Sequence, residues 1–502
     1  MLLSKYNSKN ADTTKVVVPD ESSFELPEKV LQFGTGVLLR GLPDYFIDKA
    51  NRRGIFNGRI VVVKSTDSGD ASAFEKQDNL YTLCIRGIEN GEKIEENIIC
   101  SAISRVLSAK GEWDSILACA HNPQMQIIIS NTTEVGIQLI QDDIRKHPPV
   151  SFPGKLLAFL QERYNAFEGS HQSGMVIVPT ELIPDNGQKL ESIILELAHL
   201  NALDEKFIEW LENSNHFCNS LVDRIVPGKP DAATREIIQE QIGAVDELIT
   251  MSEVYSLWAI EGDENVAAIL NFAGADNGVI ITPDINLYRE LKLRMLNGTH
   301  ILSSGIAFLS GIETVNEAMD NTILFNYIEH LMMQEIAPAI PYAIEIRQAK
   351  EFGKNVLERF ANPFIRHQWI SITLNYSAKL QMRIVPVLKN HYKVSASVPE
   401  NIALGFAAYL FFMKAVRKEG ENYFGISNGA EYKINDDKAA WYFDLWNSTK
   451  VPELVTHALQ NTDLWGTDLS ALPGFAAAVT DKLQLMIENG VMQALQPKKV
   501  LV

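Results

Sequence analysis

Three polar residues in the stretch 292–300 could carry out proton transfer and hydrogen bonding on one ligand. Lys292, Asn297 and His300 stand at offsets of five and three residues, so on a helix that turns about 100° per residue their side chains fall within about 140°. One helix face would then present an amine, an amide and an imidazole to a small oxygenated molecule. A lysine acts as a base only if burial or a neighbouring cation lowers its pKa. In the alternative interpretation, this is an ordinary amphipathic helix with Lys292 and His300 in solvent.

A glycine-containing turn near residue 34 predicts a dinucleotide site. An apolar run ending at Phe33 leads into Gly34-Thr35-Gly36, and a helix-compatible stretch follows over 38–50. Such a turn lets backbone approach a pyrophosphate at a helix N-terminus, so we take these four residues as candidate cofactor contacts. Arg40 could add charge toward the phosphates or be an ordinary exposed arginine. The third glycine of the full fingerprint is absent, so an ordinary strand-to-helix turn is the alternative.

The second strand leaves the choice of cofactor open. The run 59–63 is short, β-branched and preceded by Asn57-Gly58, which predicts a buried parallel strand. NAD sites usually end this strand with an acid that binds the ribose hydroxyls. Here Lys64 comes first and Asp67 only afterwards. Because Lys64 could tolerate a 2′-phosphate, residue chemistry does not separate NAD from NADP.

Composition and charge exclude several classes of protein. A chain of 502 residues, 46% hydrophobic and 22% charged, predicts a soluble globular protein of two or three domains. The net charge of −18 argues against nucleic acid or an anionic membrane as a partner, although a local cationic pocket could still bind an anion. The first residues lack the apolar segment of a signal peptide, and the longest apolar run, 402–413, is too short to span a bilayer. We therefore expect a cytoplasmic protein, a monomer or small homo-oligomer.

The cysteines do not indicate a disulfide framework or a metal site. They are widely spaced and form no ligand pair, and we find no H-E-x-x-H segment. We expect reduced thiols at Cys84, Cys100, Cys119 and Cys218.

Strand and helix patterns divide the chain into two unequal parts. Up to about residue 284, short β-rich runs alternate with helical segments, which predicts an α/β, Rossmann-type doubly wound domain over 1–284. Beyond it the β signals nearly vanish, so we expect an all-α substrate and catalytic domain over 285–502. The expected strands are 60–63, 126–129, 175–178 and 279–281, and the expected helices are 156–167, 189–200, 321–335, 347–360, 400–416 and 475–489.

From about Val30 onward the chain resembles the mannitol dehydrogenase family, the polyol-specific long-chain dehydrogenases, and it is most similar to the branch that acts on hexuronates. The matching positions occur in the family's order. They are Gly34, Gly36 and Arg40, the segments 77–82, 130–134 and 219–225, the helix of Lys292, Asn297 and His300, Asn362-Pro363 with His367, and Lys379 with Arg383.

The resemblance implies a secondary-alcohol dehydrogenase that uses NAD and no metal. It implies that Lys292 is the general acid/base, that Asn297 donates a hydrogen bond to the reacting oxygen, and that His300 orients the sugar-acid hydroxyls. It also implies further cofactor contacts from Asn131, Thr132, Glu134 and Asp223. Asp223 could instead form a structural ion pair with the arginine that follows it.

Glu181 departs from the pattern of the mannitol-type members. Those members have a second asparagine ahead of an Asn-Gly turn, whereas this chain has Glu181 at about that place before Asn186-Gly187. A carboxylate cannot donate a hydrogen bond unless it is protonated, so the two-donor arrangement is in doubt. Glu181 could bind substrate hydroxyls or help set the pKa of Lys292. It could equally cap the following helix or pair with a cation.

The substrate class is predicted from charge. A hexuronate carries a carboxylate that mannitol lacks, so its enzyme needs an extra cation in the pocket. Candidates near the family's substrate positions are Arg366, His367, Lys379 and Arg383, the last two being an i,i+4 pair on one helix. A solvated basic face is the alternative for each.

The expected reaction is reduction of the hexuronate ketone tagaturonate to its aldonate alcohol with NADH. Within the same class, the alternatives are a fructuronate reductase or a dehydrogenase of mannitol or arabinitol. A catalytically silent nucleotide-binding regulator is the alternative from another class. The presence of Lys292, Asn297 and His300 together argues against a regulator, which has no need of a proton-transfer lysine.

Overall fold

The computed structural model describes residues 1–65, 71–132 and 135–496. The chain forms two compact units, one of Met1–Gly87 with Glu92–Ile285 and the other of Ile88–Gly91 with Asn286–Val502. On this basis we propose a domain boundary close to residue 284.

The first unit contains a parallel sheet with the strand order of dinucleotide-binding domains. The strands of the whole unit, in this and two smaller sheets, are β1 (Glu28–Phe33), β2 (Arg59–Lys64), β3 (Tyr81–Glu89), β4 (Glu92–Cys100), β5 (Ile103–Ser108), β6 (Ile127–Ser130), β7 (Val176–Pro179), β8 (His216–Phe217), β9 (Ser220–Asp223), β10 (Thr250–Glu253), β11 (Leu257–Glu261) and β12 (Val279–Thr282). Within the described residues, the largest sheet has the order β5-β2-β1-β6-β7-β8, and each of its pairs is parallel. Counted along the chain, this is the order 3-2-1-4-5-6 of a Rossmann fold.

Alternate residues of the central strands enter two different hydrophobic cores. Val30 and Val62 belong to one core, while Leu31 and Val63 belong to the other. Successive side chains of a strand point to opposite faces, so both faces of the sheet are covered. The helices of this unit are α1 (Val37–Gly41), α2 (Pro43–Arg52), α3 (Ser72–Lys76), α4 (Trp113–Ala118), α5 (Phe152–Ala166), α6 (Asn186–Leu200), α7 (Glu205–Ser214), α8 (Ala232–Ile242) and α9 (Glu264–Ile269). The predicted doubly wound domain is confirmed.

Two smaller sheets of this unit were not expected from the sequence. They have the orders β10-β3-β4 and β12-β11-β9. The predicted strand 279–281 is β12, which belongs to the second of these rather than to the main sheet. The predicted helix over 38–50 is divided into α1 and α2, because Pro43 begins a new helix after Leu42.

The second unit is mainly helical, as predicted. Its helices are α10 (Asn286–Leu291), α11 (Asn297–Leu309), α12 (Val315–Asp320), α13 (Thr322–His330), α14 (Ile346–Phe360), α15 (Trp369–Ile372), α16 (Tyr376–Arg383), α17 (Val385–Val394), α18 (Glu400–Phe412), α19 (Ala439–Ser448), α20 (Val451–Gln460), α21 (Thr462–Trp465), α22 (Phe475–Asn489) and α23 (Val491–Ala494). Two π-helical segments, Lys292–Leu296 and Leu331–Ile336, precede α11 and follow α13.

The expectation of an all-α second domain is wrong in one place. An antiparallel sheet is formed by β13 (Arg417–Glu419), β14 (Asn422–Ser427) and β15 (Ala430–Lys433). Its turns carry left-handed residues at Gly420, Asn428 and Gly429, which are typical hairpin signals. The helix predicted over 400–416 corresponds to α18, which ends at Phe412, before the first strand of this sheet.

Candidate active site

The stretch 292–300 is not one continuous α-helix. The segment Lys292–Leu296 is a π-helical turn, and α11 begins at Asn297. The backbone N–H of Asn297 donates to the Lys292 carbonyl, which is the five-residue hydrogen bond of a π-turn. Residues five apart on a π-turn lie nearly one above the other. Lys292 and Asn297 are therefore separated by a smaller angle about the helix axis than they would be on the α-helix expected from the sequence.

His300 lies in α11 in a buried aromatic environment. The residue is 8% exposed, its ring stacks on Phe360 with 4.1 Å between centroids, and the His367 ring meets it edge-on at 5.2 Å. Burial, followed by the charges of His367, Arg359 and Arg383, lowers the pKa of His300 well below its ordinary value. The imidazole is therefore neutral near pH 7. Its buried Nε2 has no hydrogen-bond partner among the described residues.

Two cations of α16 belong to the same environment. The Lys379 Nζ donates to the Ile372 carbonyl at 2.9 Å, and Arg383 Nη1 lies 3.5 Å from the Asn297 carbonyl. Burial lowers the pKa of Arg383 to about 10. Burial and then Arg383 lower the pKa of Lys379, while burial and then Lys379 lower the pKa of His367. These shifts link the predicted side chains into one electrostatic group.

We call the residues Asn297, His300, His367, Lys379 and Arg383 the cationic cluster. The Nε of Arg383 is buried and has no hydrogen-bond partner in the part of the chain that the structure describes. A buried guanidinium with an unused donor is costly unless an acceptor meets it, and a carboxylate is its strongest partner. The cluster therefore suits an anionic ligand that also carries hydroxyl groups.

Arg366 is not part of this cluster. Its guanidinium lies 4.0 Å from the Glu313 carboxylate, and the two side chains are 74% and 75% exposed. Although Arg366 precedes His367 in the sequence, its charge stays in solvent. The structure therefore does not support its predicted contact with the substrate carboxylate.

The glycine turn of the first unit lies where the strand order of the main sheet reverses. It follows β1, which pairs with β2 on one side and β6 on the other, and ligands of open α/β sheets bind at such a point. Gly34 has a φ of +129°, and a Cβ there would lie 2.8 Å from the Asn131 carbonyl oxygen. A Cβ at Gly36 would meet nothing within 4 Å. The open space against the backbone at Gly36 fits a dinucleotide phosphate.

The residues that flank the turn have different environments. Phe33 is fully buried, its ring packs 5.2 Å from that of Phe152, and its carbonyl accepts from the Asn131 N–H at 3.0 Å. Its side chain therefore belongs to the core, so a cofactor contact is open only to its backbone. Thr35 is half-buried.

Arg40 is buried, contrary to the alternative of an exposed arginine. Its guanidinium donates to the Leu248 carbonyl and lies over the rings of Phe74 and Tyr81, at 5.7 and 5.5 Å from their centroids. The Tyr81 hydroxyl donates to the Arg40 carbonyl at 2.8 Å. These contacts make Arg40 a support of α1, and the structure gives no sign of its predicted contact with the phosphates.

Arg224 also supports this short helix. It donates to the Gly41 carbonyl at 2.7 Å and to the Glu253 carbonyl at 2.8 Å, and it lies over the Tyr45 ring. The residue before it, Asp223, is buried at the end of β9. The role of Asp223 toward the cofactor stays a prediction.

Glu181 fastens the loop that follows β6. One of its carboxylate oxygens accepts from the N–H and hydroxyl of Thr132, at 2.8 and 3.0 Å, and the other accepts from the Ser130 hydroxyl at 3.1 Å. Burial, which outweighs these hydrogen bonds, raises the pKa of Glu181. The carboxylate does not cap α6, whose N-cap residue is Asp185. Its visible role is to hold Thr132, while the side chain of the neighbouring Asn131 donates to Thr180.

The structure gives less information about the other predicted cofactor residues. Lys64 is half-buried at the end of β2. Glu134 and Asp67 lie outside the described residues. Within the described ranges, no group of three His, Cys, Asp or Glu residues could hold a metal ion, and no helix is long and apolar enough to cross a membrane.

Several residues of the site were missed from the sequence. Arg359 and Phe360 end a helix that was predicted, and Trp369 lies 6.0 Å from the His300 ring. Glu290 and Arg294, which flank Lys292 and form an ion pair at 2.9 Å, carried a usable signal, since an acid four residues before an arginine predicts a helical ion pair.

A Rossmann domain with an open glycine turn, joined in one chain to a helical unit that bears a lysine, an amide and a neutral imidazole, defines a dehydrogenase. Comparison with known proteins specifies the class further. The model of the mannitol dehydrogenase Rossmann domain matches residues 28–274, and that of the mannitol dehydrogenase C-terminal domain matches 284–487. The chain belongs to the mannitol dehydrogenase family, and it is an NAD-dependent dehydrogenase of a polyol or sugar acid.

Curated relatives match nearly the whole chain. An altronate oxidoreductase of Bacillus subtilis is 36% identical over 477 residues, covering 94% of this chain and 95% of its own length. One of Halalkalibacterium halodurans is 35% identical over 482 residues, covering 94% and 93%.

Solved structures confirm the fold. A mannitol 2-dehydrogenase of Pseudomonas fluorescens, solved with NAD and D-mannitol, has a TM-score of 0.67 at 22% identity and covers 99% of each chain. A substrate-free D-sorbitol dehydrogenase has a TM-score of 0.78 at 19% identity, covering 99% of this chain and 100% of its own.

Proposed function

We propose that the protein interconverts tagaturonate and altronate with NADH and NAD. The observation that carries this proposal is the cationic cluster, in which Lys379 and Arg383 supply positive charge beside Asn297 and His300. A keto-hexuronate presents a carboxylate and several hydroxyl groups, and the cluster offers both kinds of partner. The names of the curated relatives support the same substrate.

Lys292 is the proton-transfer residue of the proposed reaction. Its ammonium gives a proton to the oxygen of the substrate ketone as the carbonyl carbon is reduced, and the neutral amine then regains a proton from solvent. In the reverse direction the amine takes the hydroxyl proton. NADH supplies the hydride when it is bound. The π-turn supports this role, because residues five apart on such a turn lie on nearly the same side of the helix.

Asn297 and His300 bind the substrate in this proposal. The Asn297 amide donates to the ketone oxygen as negative charge develops on it, which stabilises the transition state more than the ground state. The neutral imidazole of His300 can donate to or accept from a sugar hydroxyl, and its Nε2 is free for that purpose among the described residues.

The substrate carboxylate binds to Arg383, with Lys379 as the second cation. Arg383 offers a planar pair of donors that matches a carboxylate, and its Nε has no competing partner in the described part of the chain. The Lys379 Nζ keeps the Ile372 carbonyl as one of its acceptors. The remaining donors of its ammonium are available to the ligand.

A comparison of three ketones tests the proposal. Oxidation of NADH should be measured with tagaturonate, fructuronate and fructose, and tagaturonate should give the highest kcat/KM. A preference for fructuronate would move the assignment to the neighbouring uronate enzyme. Equal use of fructose and tagaturonate would favour a polyol dehydrogenase. NADH binding without turnover of any ketone would favour a silent nucleotide-binding regulator.

A further inference from the structure

The π-turn that carries Lys292 is held by a buried ion pair. Arg294, in the middle of the turn, donates to the two carboxylate oxygens of Glu290 at 2.9 and 3.3 Å. The two side chains are only 8% and 18% exposed. Such a pair is geometrically specific, because the planar guanidinium fits the carboxylate in one orientation.

The same guanidinium also binds the end of α16. Arg294 Nη1 donates to the carbonyl oxygens of Met382 and Arg383, at 2.6 and 2.9 Å. The last carbonyls of a helix have no partner within the helix, so a cation there satisfies them and the helix dipole together. Arg294 thus connects the turn of Lys292 to the helix end that carries Arg383.

A second arginine completes the connection in the opposite direction. Arg383 Nη1 lies 3.5 Å from the carbonyl of Asn297, the residue that follows the turn. The two segments approach closely, since a Cβ at Gly298 would lie 3.0 Å from Ile384 Cδ1. We call the ion pair of Arg294 with Glu290, together with the hydrogen bonds of Arg294 and Arg383 to these carbonyls, the arginine clamp.

We propose that Arg294 is a positioning residue for catalysis: through the arginine clamp it keeps the π-turn of Lys292 and Asn297 in register with Arg383. A π-turn is rare and needs tertiary support. Without the clamp, the turn can relax toward an α-helix, which would rotate Lys292 away from Asn297. The part of this inference that concerns substrate rests on the proposed function, whereas the part that concerns the turn does not.

The test uses three variants of the full chain. Arg294→Met removes every donor, Arg294→Lys keeps the charge but loses the planar fork, and Glu290→Gln removes the charge partner. Arg347→Met is the matched control, since Arg347 forms an i,i+4 pair with Glu351 that is 84% and 58% exposed. Each is assayed for kcat, for the KM of ketone and NADH, and for hydrogen–deuterium exchange of the peptide 292–300.

The Arg294 variants are expected to change ketone turnover and ketone KM and to leave the KM for NADH nearly unchanged. In Arg294→Met, kcat falls by about tenfold or more and the KM for ketone rises, while the KM for NADH stays within about twofold of the wild type. Arg294→Lys recovers only part of this loss, because charge alone does not restore the fork. Exchange over 292–300 becomes faster in Arg294→Met and not in Arg347→Met. If Arg294→Met does not fold, Arg294→Lys and Glu290→Gln are expected to show the same pattern to a smaller degree.

Two outcomes overturn the inference. Unchanged exchange over 292–300 would mean that Arg294 does not hold the turn. Faster exchange with unaltered kcat and KM would mean that the turn needs no clamp for catalysis. If the wild type reduces fructose but no uronate, the proposed function fails and the same variants are judged with fructose. A wild type that reduces none of these ketones overturns the proposed function and the catalytic part of the inference, while exchange over 292–300 still decides whether Arg294 holds the turn.

Discussion

The glycine turn and the cationic cluster differ in how their polar groups are used. Around the turn, Arg40 and Arg224 donate to main-chain carbonyls and lie over aromatic rings, and Glu181 accepts from the loop after β6. In the cluster, His300, His367, Lys379 and Arg383 lie close enough that their charges lower one another's pKa. The first region uses side chains to shape backbone, and the second gathers several cationic or basic side chains in one place. Variants should therefore affect stability and cofactor binding in the first, and turnover and substrate affinity in the second.

The largest effect is expected at Lys292. Lys292→Ala should lower kcat by about a hundredfold or more, since positioned acid–base groups typically contribute at least that much. NADH affinity, measured by quenching of protein fluorescence, should stay within about twofold, because the amine acts only in proton transfer. A variant that keeps about a tenth of wild-type turnover would contradict the assignment.

The second largest effect is expected at Arg383, the proposed partner of the substrate carboxylate. Arg383→Met should raise the KM for tagaturonate by about one to two orders of magnitude, since a hydrogen bond to a charged group contributes about 1.5–3 kcal/mol. The KM for fructose should change less, because fructose has no carboxylate to place there and is affected only by loss of the 3.5 Å contact of Arg383 with the Asn297 carbonyl. Arg366→Met, at the exposed arginine outside the cluster, is the control. An equal rise for both ketones would show that Arg383 acts through the fold rather than through the carboxylate.

The two glycines of the turn should separate cofactor binding from stability. Gly36→Val should weaken NADH binding by roughly tenfold by blocking backbone approach to the pyrophosphate. It should leave the Tm unchanged, since a Cβ there meets nothing. Gly34→Ala should lower the Tm, because its φ is +129° and its Cβ would overlap the Asn131 carbonyl. Unchanged NADH affinity in Gly36→Val would remove the turn from the cofactor site.

The smallest effect on activity is expected from the buried acid Asp44, which should change stability instead. Asp44 accepts from Gln32 at 3.4 Å, and burial raises the pKa of Asp44 to about 8. Between about pH 4 and pH 8 the folded state then keeps a proton that the unfolded state releases, so the free energy of unfolding falls as pH rises, by up to about 1.4 kcal/mol per pH unit. Asp44→Asn should remove this slope in denaturant titrations, and the exposed Asp12→Asn should not. A slope that persists in Asp44→Asn would place its origin in another group.

Local patterns were enough to predict several elements of both units. The β-branched run at 59–63 became β2, and the amphipathic segment at 347–360 became α14 with a difference of one residue. These predictions succeed because periodicity and burial act within one element. The strand Arg417–Glu419 and its partners were missed, because short exposed hairpins carry little apolar alternation.

The sequence by itself determined the composition of the site: a lysine, an amide and an imidazole within nine residues, cations further along the chain, and a glycine turn after a buried strand. Only the tertiary structure decided which of these lie together. It joined His367, Lys379 and Arg383 to His300, left Arg366 in solvent, and buried Arg40 as a support of α1. It also made Lys292–Leu296 a π-turn. The physical reason is that spacing along the chain constrains only neighbours on one element, whereas burial, charge coupling and the arginine clamp depend on residues about 90 positions apart.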